Sequence, residues 1–131
     1  MHSHAPGQDL TNNVIVGNTI SGNGADTMDA ATSNTAGINV FGVSAASGTI
    51  ISGNTINDEA LDVVVNTPAS VDVNLNNLLG KGVGVQIPSP STATVNATQN
   101  FWGCAKGPGS KGCTTASGAA VTSTPVSSRK F

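Results

Sequence analysis

The chain has 131 residues and a net charge of −2, with five Lys plus Arg and seven Asp plus Glu, so it is long enough for one domain with a core but has no basic patch for nucleic acid. Charged residues make up 9% and Gly numbers 16, a low-charge, turn-rich composition that suits many short strands. No apolar run is long enough to span a membrane, and the periodic Val and Ile of residues 12 to 104 exclude disorder there.

The first eleven residues begin MHSHAPGQDL and have neither the basic start nor the apolar stretch of a signal sequence. They read as the remnant of a preceding structural repeat, or as a plug over its exposed edge. His2 and His4 fall on one side of an extended segment, a spacing that would hold zinc, nickel or copper if Asp9 supplied a third ligand. Two ligands do not make a site, so a solvated terminus ranks ahead and no metal or cofactor is assigned.

From residue 12 onward one layout recurs. An asparagine marks each copy: Asn18 in VGNTI, Asn54 in SGNTI, Asn76 in LNNLL and Asn100 in QNFW. Two residues later comes Ile20, Ile56, Leu78 or Trp102, and three residues earlier comes Ile15, Ile51, Val73 or Ala97. On a strand of period two followed by a corner, both columns point inward in every copy. The GINVFG, LDVVV and VGVQ segments add a third strand, with Ile38 and Val40, Leu61 and Val63, and Val83 and Val85 as inward pairs. Spacings of 22, 24 and 36 residues between the asparagines indicate stacked rungs, the long one carrying an insertion between Ser21 and Ala36. Each rung is too small to bury its own side chains and needs parallel strands above and below. The asparagines serve either as a ladder of stacked side-chain amides or simply as turn formers.

The expected architecture is therefore all-β: a parallel β-helix of about three to four rungs over residues 12–103, followed by a cap and tail over 104–131. If Ile15 and Ile20 point in, Val14 and Val16 point out beside Ile50, leaving an outer apolar patch that wants a cover. The tail with Val121 and Val126 is the first candidate for that cover, and a second copy of the chain is the other. The insertion carries Asp26 and Asp29, which with backbone carbonyls would suit calcium; no glycine-aspartate repeat accompanies them, so a solvated loop ranks ahead.

Outward positions of the third strands, Asn39 and Phe41, Asp62 and Val64, Gly84 and Gln86, form a flat face that would lie along a sugar chain. Of the acids, Asp58 and Glu59 are adjacent in a turn and Asp62 is expected on the outer strand face, so they do not oppose one another as glycoside hydrolysis requires. Lys81 is the only Lys or Arg before Cys104 and has no evident partner, and the histidines stand only at the start, which leaves neither a lyase base nor a Ser-His-Asp arrangement. Ice binding would need regular outward Thr rows; Thr19 and Thr55 align, but Asn77 and Phe101 follow.

In NFWGCAKGPGSKGC the repeat is expected to stop, since Gly107-Pro108-Gly109 cannot continue a central ladder, with Trp102 as a lid on the last layer. Cys104 and Cys113 are the only cysteines; a disulfide closing a small loop fits them, and a free thiol pair or half a metal site are the alternatives. A bridge implies an oxidising compartment.

The GNTI corners, the GINVFG and LDVVV strands and the NFWGCAKGPGSKGC closure resemble the C-terminal part of secreted bacterial right-handed parallel β-helix proteins of the pectate-lyase-like superfamily, over about residues 12 to 125. The resemblance implies a right-handed coil, export to the cell surface or beyond, and a role at polysaccharide material. No position here matches a catalytic residue of those enzymes. Two functions follow as expectations: a non-catalytic structural or binding module, or the end of a larger β-helix lyase or hydrolase whose active site lies elsewhere. A homo-oligomer through the open N-terminal rung and contact with polysaccharide are the expected partnerships.

Overall fold

The structure is a computed structural model and describes residues 1–25, 27 and 35–131. Among these the chain is all-β, with thirteen short strands in three sheets whose pairings are all parallel. After β1 (His2–Ser3), the chain visits the sheets in fixed order: β2 (Val14–Val16), β3 (Thr19–Ser21) and β4 (Ala36–Gly42). The second passage is β5 (Thr49–Ser52), β6 (Thr55–Asn57) and β7 (Leu61–Asn66), and the third is β8 (Ser70–Asn74), β9 (Asn77–Leu79) and β10 (Val83–Gln86). A fourth has β11 (Thr94–Asn96), a single bridge from Asn77 to Phe101, and β12 (Thr115–Ser117), and β13 (Val121–Thr122) begins a fifth. Each strand hydrogen-bonds to its counterpart one passage earlier and one later, which produces the orders β1-β4-β7-β10-β12, β13-β11-β8-β5-β2 and β3-β6-β9.

The inward columns follow the spacing around the asparagines. Ile51, Val73 and Ala97 are fully buried, as are Ile56, Leu78 and Trp102. Ile15 and Ile20, in the first passage, are only partly buried, since among the described residues β2 and β3 have no strand on their far side. In the third strands the register differs from expectation by two residues at β4. Ile38 lies beside Val63 and Val85, while Leu61 pairs with Ala36 and Val83, so the second column is Val40, Val65 and Ile87. A slip of two keeps every side chain on its own face, so the alternation of apolar residues could not detect it.

The asparagines form the ladder. Asn54 Oδ1 accepts from the backbone N–H of Asn18 at 2.9 Å and from its Nδ2 at 3.0 Å. Asn76 Oδ1 accepts the same pair from Asn54 at 2.9 and 3.0 Å, and Asn100 Oδ1 accepts from Asn76 at 2.9 and 3.1 Å. The side-chain amides then donate back to inner carbonyls, Asn76 to Ile51 and Asn100 to Val73. The turn itself is made one residue earlier, at Gly17, Gly53, Leu75 and Gln99, all with positive φ. Asparagine is therefore used for its amide and not for its backbone tolerance.

Two expectations for the C-terminal part are corrected. The strands do not stop at Gly107-Pro108-Gly109: residues 103–113 loop out, closed by a disulfide between Cys104 and Cys113 with Cα atoms 5.1 Å apart, and β12 then resumes the sheet beside β10. The loop can leave and return because Thr114 N–H donates to the Trp102 carbonyl at 2.9 Å, joining its two ends. Trp102 consequently sits within the core, where Gly84 has no side chain: a Cβ there would lie 2.9 Å from the indole ring. Nor does the tail cover the outer apolar patch. It extends the sheets as β12 and β13, with Val121 and Val126 packed against the core, and Val14, Val16 and Ile50 stay 65%, 54% and 42% exposed.

Candidate functional site

Asp62 and Val64, expected on an open outer face, are both fully buried. In register, Asp62 stands between Gly37 and Gly84 of the neighbouring passages. A Cβ on Gly37 would meet Ile56 and Glu59, and one on Gly84 would meet Trp102, so this column faces the interior. The Asp62 carboxylate accepts a hydrogen bond from Gly80 N–H at 3.1 Å through Oδ2, and lies so close over Gly80 that no side chain fits there. Flanking glycines in the layers above and below are what make room for a carboxyl inside.

Glu59 is fully buried as well, which the adjacent-turn reading missed. Its Oε1 accepts from the backbone N–H of Asn23 at 3.0 Å and from Asn23 Nδ2 at 3.1 Å. The next two residues hold Thr35: Ala60 N–H donates to Thr35 Oγ1 at 2.8 Å and Leu61 N–H to its carbonyl at 3.0 Å. One corner, residues 59–61, thus pins the segments on both sides of the insertion. The expected calcium ligands Asp26 and Asp29 lie outside the described residues.

Glu59 Oε2 and Asp62 Oδ1 have no hydrogen-bond partner among the described residues. Burial pushes the Asp62 carboxyl up to about 7; the Gly80 N–H works against this, and the charge of Glu59 adds to it. A protonated acid poised near neutrality is what general-acid chemistry uses, but such an acid must touch its substrate. At these positions nothing of either side chain reaches solvent. Lys81, expected to be alone, pairs with Asp58 at 3.3 Å on the exposed side of the same corner.

Of the expected outer face, Asn39, Val64 and Gln86 do share one row, while Phe41 aligns with Asn66 and with His2. Phe41 keeps partial exposure and gathers two rings: His4 with its centroid at 5.0 Å and His2 at 5.6 Å, the two imidazoles being 5.7 Å apart. Asp9 does not join them as a ligand set; its Oδ1 is occupied by Thr11 N–H and Oγ1 at 2.8 and 2.7 Å. No three His, Cys, Asp or Glu side chains gather for a metal ion among the described residues. Beside Phe41 runs a cleft of about 280 Å³, bounded by Val43, Thr67, Pro68 and the segment Pro90–Thr92. On the other side of that segment a second cleft of about 510 Å³ is bounded by Pro88, Ala93 and Ala119. Among the described residues neither has a charged lining residue. Sequence reasoning missed these clefts because they form where three corners stack, and no one corner has a distinctive composition.

No family model, curated protein or solved structure matches the chain.

Proposed function

We propose that the chain is a right-handed parallel β-helix of the pectate-lyase-like kind, belongs to an exported protein, and serves as a non-catalytic structural or binding module that contacts neutral polysaccharide. The observation that carries the proposal is the division between its interior and its surface. Glu59 and Asp62, the paired acids that a lyase or hydrolase would need, are consumed in holding a corner together. The surface offers Phe41 with two imidazole rings beside an uncharged cleft of hydroxyls and proline rings. Ring faces stacking on sugar rings, with hydroxyls to hydrogen-bond the rest, is the chemistry of neutral glycan recognition.

The runner-up is the end of a larger β-helix carbohydrate enzyme. It is favoured by β2 and β3, which are sheet edges among the described residues and on which further rungs would stack. Native electrophoresis in gels cast with neutral or acidic polysaccharides tests the binding reading. Retardation by neutral glycans is expected, with loss on Phe41→Ala; retardation indifferent to Phe41→Ala, or none in any gel, would overturn it.

A further inference from the structure

The two ends of the stack differ. At the C-terminal end the tail crosses the ladder: Gln99 N–H donates to the Pro125 carbonyl at 2.6 Å, and Ser127 N–H to the Asn100 carbonyl at 2.9 Å. At the N-terminal end β1 covers β4, and Met1 and Leu10 pack on the core, while β2 and β3 are edges among the described residues. Residues 1–11 thus extend the third sheet through β1. Asn18 donates into the ladder and, among the described residues, receives nothing from above.

The β2 edge has a particular symmetry. Asn13 accepts from Ile50 N–H at 2.9 Å and Gly17 N–H donates to Ser52 at 3.2 Å, both downward. In a parallel ladder alternate residues face alternate neighbours, so Asn13, Ile15 and Gly17 bond to the second passage, while Val14 and Val16 turn their N–H and C=O groups toward the open side. Those two residues are placed symmetrically about Ile15. An antiparallel copy of the same strand, centred on Ile15, would put Val14 opposite Val16 twice and engage four backbone groups on each chain, of which the Val16 carbonyl already accepts from Asn18 Nδ2 at 3.2 Å. Its side chains would bring two copies of the Val14, Val16 and Ile50 patch together and cover Ile15. Edges in monomeric proteins are usually guarded by Lys, Pro or a bulge; β2 and β3 have none.

We infer that the N-terminal end is a homodimer interface in which β2 pairs antiparallel with β2 of a second copy, head to head about a two-fold axis passing between the two Ile15 residues. At the C-terminal end the tail crosses only the asparagine corner and β13 is the opposite edge of the same sheet; a β2-to-β13 contact would be heterologous and open-ended, whereas the two-fold β2–β2 contact closes without forming fibres. The inference deepens the expected self-association and stands apart from the glycan reading, which uses Phe41 at another sheet.

The test is sedimentation of the full chain across the micromolar range, with two variants. Val16→Lys places a charge on the edge at a position 54% exposed in the single chain, so folding should be unaffected while the dimer is lost. Ile15→Cys places one free thiol opposite its own copy, where facing Cα atoms of a non-hydrogen-bonded pair lie about 4.5 Å apart, close enough to bridge; mild oxidation should yield a covalent dimer. A wild-type monomer throughout would overturn the inference. So would a dimer that survives Val16→Lys and fails to cross-link through Cys at 15, since its contact would lie elsewhere. Val16→Lys should still be retarded by neutral glycan, so failure of the dimer and failure of the binding proposal are read separately.

Discussion

Replacing Asp62 by Asn should stabilise this protein at neutral and alkaline pH. In the folded chain the Asp62 carboxyl holds its proton up to about pH 7, against 3.8 for the free side chain. The folded state therefore binds the proton more tightly than the unfolded state. Its contribution is fully favourable below about pH 4, declines as pH rises, and is lost above about pH 7. At about 1.4 kcal/mol per pH unit, the gap corresponds to roughly 4 kcal/mol of stability lost across that window. Asn is neutral throughout, and its side-chain oxygen can still accept from Gly80 N–H, so Asp62→Asn should flatten the profile. At pH 8 the variant should exceed the wild type by about 2 to 4 kcal/mol, less any cost of the unpaired amide N–H. Asp9, whose carboxyl is held below its ordinary value by Thr11, contributes with the opposite sign but only below pH 4, outside this window. Urea unfolding followed by fluorescence of the single Trp102, at pH 4, 6 and 8, measures the difference. Parallel profiles for the two proteins, or a variant less stable than wild type at pH 8, would refute the reasoning.

Three further outcomes are expected. Asn76→Ala removes donors to Ile51 and Asn74 and breaks the amide chain on both sides, so urea unfolding should register a loss of about 3 to 5 kcal/mol; a loss below about 1 kcal/mol would mean that the ladder is incidental. Leu75→Gly relieves a φ of 59° at a side chain 43% exposed; relief of about 1 to 2 kcal/mol is partly offset by the freer unfolded chain, and thermal melts should show a small net gain. Cys104→Ser with Cys113→Ser should cost on the order of 2 to 3 kcal/mol by loop-closure entropy. Far-ultraviolet circular dichroism should stay native-like, because Thr115 N–H and Ile87 N–H bond β12 to β10 independently of the bridge.

How far the fold could be read depended on how each feature repeats. Ile51, Val73 and Ala97, with Ile56, Leu78 and Trp102, stand at fixed offsets from an asparagine, and one residue per passage at a fixed offset is visible without coordinates. The third-strand register was not, because the long insertion separates Asn18 from β4 and a slip of two leaves the pattern intact. Asp62 reads as outward because it alternates with Leu61 and Val63 on a period-two strand. The signal that would have corrected this is Gly37 and Gly84, a small residue on each side of one carboxylate. Resumption of β12 was hidden by Gly107-Pro108-Gly109, a stop signal that holds for its own loop but says nothing of the strand beyond it.

The proposal of a surface-binding module rests on Glu59 and Asp62 being enclosed. Carbodiimide labelling of carboxyl groups, read by mass spectrometry on native and urea-unfolded protein, tests it most directly. Asp9, Asp58 and Asp72 are exposed and Glu59 and Asp62 are not, so the first three should label in the native state and the last two only after unfolding. Native labelling of Glu59 or Asp62 at the rate of Asp58 would contradict the account, since an acid within reach of a reagent is also within reach of a substrate.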